Sequence, residues 1–71
     1  MKEIEIKDEY IRLDDLLKLD ALVNTGGHAK FVIQGGEVKL NGETCLMRGK
    51  KLRNGDVVEF DGETLKVVVK I

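Results

Sequence analysis

"NTGGHAKFVIQGGEVKLNG", residues 24–42, sets a glycine pair on either side of a short amphipathic stretch and then runs into Asn-Gly. Thr25 is a suitable N-cap, and Ala29, Val32 and Ile33 at i, i+3 and i+4 give the inward stripe of a helix. Gly35 or Gly36 supplies the left-handed residue that ends it. "EVKL" (37–40) then reads as a strand, Asn41-Gly42 as a type I′ turn, and "ETCLM" (43–47) as the returning strand. A short helix feeding directly into a hairpin implies a mixed fold, and the flanking sequence supplies the remaining elements.

On the amino-terminal side, "KEIEIK" (2–7) alternates polar and apolar residues and predicts a strand. From Leu13 the period changes. Leu13, Leu16, Leu17 and Ala21 form one apolar helix face about two turns long, with Asp14 and Asp15 in the first turn, where carboxylates favour the helix dipole. On the other side, "RGKKLRNGD" (48–56) reads as a loop with a second Asn-Gly turn. "VVEF" (57–60), Asp61-Gly62 and "ETLKVVV" (63–69) read as a final hairpin. The expected architecture is α+β, with two short helices on one face of a small, mostly antiparallel sheet.

A chain of 71 residues is expected to form one domain, residues 1–71, with a thin core. Such chains bury only about 60% of their unfolded surface. Enzymes this small are rare, and the side-chain inventory argues the same way: Cys45 is the only cysteine and His28 the only histidine. No disulfide, zinc site or nucleophile–base pair is expected, and no cofactor. No apolar run exceeds three residues, which excludes a membrane span and fits a reduced, cytoplasmic compartment. The net charge of −1 conceals an asymmetry. Residues 1–20 carry net −3, residues 21–53 net +4 and residues 54–71 net −2. Four of the six basic residues in the middle segment fall within "RGKKLR" (48–53), a local field suited to an anionic partner.

"IRLDDLLKL" (11–19), "TGGHAKFVIQGGEVKLNG" (25–42) and "RGKKLRNGDVVEF" (48–60) together resemble the S4 RNA-binding domain, in particular its small stand-alone bacterial forms. The resemblance covers roughly residues 10–60 and rests on the order of its parts. These are Arg-Leu-Asp opening the first helix, Gly-Gly-x-Ala-Lys opening the second, Gly-x-Val-x-x-Asn-Gly, then Gly-Asp-x-Val. His28 stands where many relatives have Glu, and Asn54 where many have proline. The resemblance implies an αL-type fold with RNA on the helix pair and the adjoining hairpin and loop. By position it assigns RNA contacts to Arg12 and Lys18 of the first helix, His28 and Lys30 of the second, and Lys39 and Asn41 of the hairpin. Arg48, Lys50 and Lys51 extend this patch. The implied function is non-catalytic binding of structured RNA, ribosomal RNA first, in ribosome assembly or ribosome-associated work. The implied protein is a monomer with ribosomal proteins as possible neighbours.

Several residues carry two readings. Gly26 and Gly27 either leave a helix N-terminus bare for a phosphate or only permit a tight interhelical turn. At 100° per residue Gly27, Lys30, Phe31 and Gln34 lie opposite the inward stripe. Phe31 therefore either stacks on an unpaired base or folds over onto the sheet. Asn41-Gly42 is expected to serve first as a turn, Cys45 and Met47 to pack as small or flexible hydrophobes, and Arg53 to pair with a nearby acid. A different class of function is a protein-interaction module with Phe31 as its anchor. A β-grasp carrier is set aside, because carriers need a C-terminal Gly-Gly and this sequence ends "VVVKI".

Overall fold

The computed structural model describes residues 1–71. In chain order it forms β1 (Lys2–Ile6), β2 (Ile11–Arg12), α1 (Leu13–Leu19), α2 (Gly26–Gln34), β3 (Lys39–Leu40), β4 (Glu43–Thr44), β5 (Lys51–Leu52), β6 (Val57–Phe60) and β7 (Glu63–Val69). Five strands make one sheet in the order β1-β7-β6-β3-β4, while β2 and β5 form a separate pair. Every pairing is antiparallel except β1 against β7. The α+β architecture expected from the sequence is the one the chain adopts.

The alternation of the strands decides which sheet face is covered. Ile4 and Ile6 of β1, Val58 and Phe60 of β6, and Leu65 and Val67 of β7 are buried, whereas Glu3, Glu5 and Glu59 between them are exposed. Leu13, Leu16 and Leu17 of α1 join the inward strand residues in one cluster of 15 buried side chains, as do Ala29, Val32 and Ile33 of α2. Burying each large aliphatic side chain contributes about 1.5–3 kcal/mol, so this single layer supplies most of the driving force.

Local chemistry places the turns. Asn41 and Gly42 have φ of 51° and 86°, Asp61 and Gly62 of 51° and 78°, the paired positive values a type I′ hairpin turn requires. The Thr25 hydroxyl oxygen accepts the His28 backbone N–H at 3.0 Å, and Gly36 (φ 80°) supplies the left-handed residue beyond α2.

The structure departs from the sequence reading at four points, the first being that the strand expected over 37–40 is confined to Lys39–Leu40. Ala21 is exposed rather than part of the α1 stripe, because the helix stops at Leu19 and Ala21 (φ 58°) turns the corner between the helices. The strand expected over 43–47 stops at Thr44. The Cys45 N–H still bonds the Val38 carbonyl at 3.0 Å, after which the chain swings away and leaves Leu46 and Met47 55% and 65% exposed. Cys45 is half-buried as expected, but Met47 does not pack. Finally, Lys51-Leu52 is a strand and not loop, paired with Ile11-Arg12 in the register Ile11↔Leu52 and Arg12↔Lys51.

Candidate nucleic-acid interface

A helix leaves its first N–H groups without intrahelical partners. At α1 they are met from a distant part of the chain. The Leu13 N–H donates to the Lys50 carbonyl at 2.9 Å and the Asp14 N–H to the Arg48 carbonyl at 3.0 Å. These bonds continue the β2–β5 pair and hold the 48–51 segment by its backbone, which frees its side chains. Arg12 lies directly beneath: a Cβ on Gly49 would sit 3.6 Å from its guanidinium Nη2. The same guanidinium pairs with buried Asp14 at 3.1 Å, and the other Asp14 oxygen accepts the Asp15 N–H at 2.9 Å. Arg12 is thus fixed in place while its side chain stays 48% exposed.

Tyr10, just before β2, braces the far side. Lys51 Nζ lies 4.9 Å and the Arg53 guanidinium 5.6 Å from its ring centroid, both within cation–π range. The Arg53 side chain therefore does not find the acidic partner expected for it. Asp56 instead takes the Arg53 backbone N–H at 2.7 Å. The fold so gathers Arg12, Arg48, Lys50, Lys51 and Arg53 on β2, on β5 and on the residues that flank β5.

All four ion pairs of the structure lie within residues 1–20: Lys2–Asp20, Lys7–Glu5, Arg12–Asp14 and Lys18–Asp15. No Lys or Arg from 21 to 53 is neutralised by a carboxylate. The cations of the basic middle segment therefore carry no ion pair that an outside anion would have to displace.

The start of α2 is a second cluster on its own helix. Gly26 and Gly27 have ordinary negative φ, and a Cβ at Gly26 would meet nothing within 4 Å. At Gly27 it would meet only the Thr25 hydroxyl, at 3.8 Å. Neither backbone geometry nor crowding requires a glycine here, and the interhelical corner is made by Ala21. His28, Lys30 and Phe31 are exposed beside them, Phe31 by 73%, so the aromatic ring does not fold onto the sheet.

Three of the other residues expected at the interface are placed differently. Lys18 is tied to Asp15 at 3.2 Å. Lys39 lies between buried Val38 and inward-facing Leu40, and it lines a depression shared with Glu37, Glu59, Asp61 and Glu63, apart from the other cations. The Asn41 side chain is engaged within the fold, donating to Asp56 at 3.1 Å and accepting the Val57 N–H at 2.9 Å. No group of three or more His, Cys, Asp or Glu side chains is arranged to hold a metal ion, and no helix is long and apolar enough to cross a membrane.

Residues 4–68 match the S4 domain family. The chain belongs to that family. Over 59 residues this S4 domain is 44% identical to the "Probable ribosome maturation protein RlbA" of Bacillus subtilis (strain 168), covering 83% of each chain. It is 36% identical over 62 residues to the "Putative RNA-binding protein YbcJ" of Escherichia coli (strain K12), covering 87% of this chain and 89% of YbcJ. The solution structure of E. coli YbcJ, reported as revealing an αL motif involved in RNA binding, superposes with a TM-score of 0.73 at 33% identity. That match covers 97% of this chain and 89% of YbcJ. The 30S ribosomal protein S4e of Thermoplasma acidophilum superposes with a TM-score of 0.60 at 27% identity, over 82% of this chain and 31% of the ribosomal protein.

Sequence reasoning missed two residues that support the basic cluster of this S4 domain, Tyr10 and Asp14, and left Arg53 out of it. Asp14 and Asp15 look alike in sequence, and only burial separates the one that holds Arg12. A clue to Tyr10 was available. It is one of only three aromatic residues and directly precedes the Ile-Arg-Leu-Asp segment.

Proposed function

We propose that this S4 domain is a non-catalytic, cytoplasmic RNA-binding protein that recognises structured RNA, ribosomal RNA foremost, in ribosome assembly or ribosome-associated work. The observation that carries this reading is the set of basic side chains at 48–53, unpaired by any carboxylate and held by backbone bonds to the start of α1. Arginine can clamp a phosphate with two parallel N–H bonds, and lysine adds a point charge. An A-form helix hides its base edges in a narrow major groove, so such a surface reads shape, phosphates and 2′-hydroxyls. The unpartnered N–H groups of Gly26 and Gly27 add a further phosphate position. The names of the relatives support the reading, since one refers to ribosome maturation and the other to RNA binding.

The test is a titration against structured ribosomal RNA fragments at several salt concentrations, with an Arg48→Glu/Lys50→Glu/Lys51→Glu variant alongside. Micromolar or tighter binding is expected. Each phosphate contact contributes about −0.7 to −0.9 to the slope of log affinity against log salt, so the variant should lose affinity and about 2–3 units of slope. Absence of binding even at low salt would point instead to a protein partner docking on Phe31, whose 73% exposure is the observation favouring that second reading.

A further inference from the structure

Between the β3–β4 hairpin and β5 lies an open hollow of about 590 Å³, within the range of small-molecule sites, about 300–1,000 Å³. Its lining includes the basic Lys50, Lys51 and Arg53 at β5 and the apolar Leu40, Cys45, Leu46 and Met47. The exposure of Leu46 and Met47 is the unexplained feature. A surface that met only the phosphates of a duplex would have no use for two large apolar side chains among its cations.

We infer that this hollow takes one unpaired, splayed-out nucleotide of the bound RNA, with its base against Leu46 and Met47 and its phosphate on Lys50, Lys51 and Arg53. The inference rests on the RNA-binding reading above and adds the class of RNA. The chemistry of the walls matches the two ends of a nucleotide. The three cations have no carboxylate partner, so a phosphate there displaces no existing ion pair. The Met47 thioether is polarizable and suits the face of an aromatic ring. Two carboxylates also line the hollow. Asp56 is already engaged through both oxygens, by the Asn41 amide and the Arg53 N–H. Glu43, on the hairpin side, makes no ion pair and can accept from the N–H donors of a base's Watson–Crick edge, which pairing occupies in a closed duplex. Phosphate toward β5 and base toward the hairpin is the one orientation in which both signs of charge are answered.

Two RNA hairpins of identical stem sequence test this, one fully paired and one with a single bulged 2-aminopurine nucleotide. They are titrated against the wild-type protein and a Leu46→Ser/Met47→Ser variant. Both substituted residues are exposed, so the fold should persist, and affinity for the paired hairpin serves as the control. The bulged hairpin is expected to bind the wild type about tenfold more tightly, with a change in 2-aminopurine fluorescence. The variant should lose that preference and keep its affinity for the paired stem and its salt slope. Equal wild-type affinity for the two hairpins, or a preference that survives in the variant, overturns the nucleotide hollow and leaves RNA binding standing. Binding of neither hairpin at low salt overturns both readings and leaves the hollow to an acidic peptide.

Discussion

Gly26 and Gly27 show how a residue's purpose can be isolated by elimination. Their φ values are ordinary and the space around them is open, so alanine fits at both places. Gly→Ala at a compatible position stabilises by about 0.4–1 kcal/mol through the unfolded state. A Gly26→Ala/Gly27→Ala variant should therefore melt no lower than wild type in urea or heat. If the helix start receives a phosphate, the added methyl groups should weaken RNA binding about tenfold. Unchanged affinity would assign the glycines no role in contact. Side-chain orientation within α2 was legible in advance, because 100° spacing is a local property and placed Phe31 outward correctly. The roles of Asp14 and Tyr10 were not, since each depends on where another part of the chain comes to rest.

The elements divide along the same line. Both tight hairpin turns were legible, because Asn-Gly and Asp-Gly carry the required positive φ in their own chemistry. The β2–β5 pair was not. Strands of two residues have no period to detect, and residues 48–52 settle there because their carbonyls meet N–H groups at the head of α1 that have no partner within the helix. This small pair is anchored by Leu52, which is fully buried. Leu52→Ala should cost about 2–5 kcal/mol, a large share of what a domain of this size possesses. Arg48, Lys50 and Lys51 would lose their scaffold along with it. Chemical denaturation should report the loss of stability. RNA titration in conditions where the variant stays folded should show a loss larger than that of a comparable core truncation in β7, such as Val67→Ala.

At the scale of the whole molecule, charge is sorted by region, with ion pairs kept to the first 20 residues and free cations gathered in the middle. The sorting was visible in the sequence as a count, while the absence of partners needed the fold. One pair has a consequence for pH. The Asp20 carboxylate at 2.7 Å, through its hydrogen bond and its charge, holds the Lys2 ammonium above its ordinary value of 10.5. A group raised on folding contributes stability that is fully present below its unfolded pKa and is lost as pH rises through the folded one. Wild-type protein should thus lose melting temperature more steeply above about pH 10.5 than a Lys2→Met variant, whose own curve starts lower and runs flatter there. Parallel curves would remove the pair from the account of stability.

β1 has a single neighbour in the sheet, β7. Residues 2–6 are synthesised well before residues 63–69, yet they have no ladder to join until that later segment exists. The helices and the two tight hairpins can form from near neighbours, while closure of β1 onto β7 spans nearly the full length of the chain and is the most expensive loop to draw shut. Pairing of β1 therefore depends wholly on the far end of the 71 residues, and a chain cut short of residue 63 would forfeit two strands rather than one.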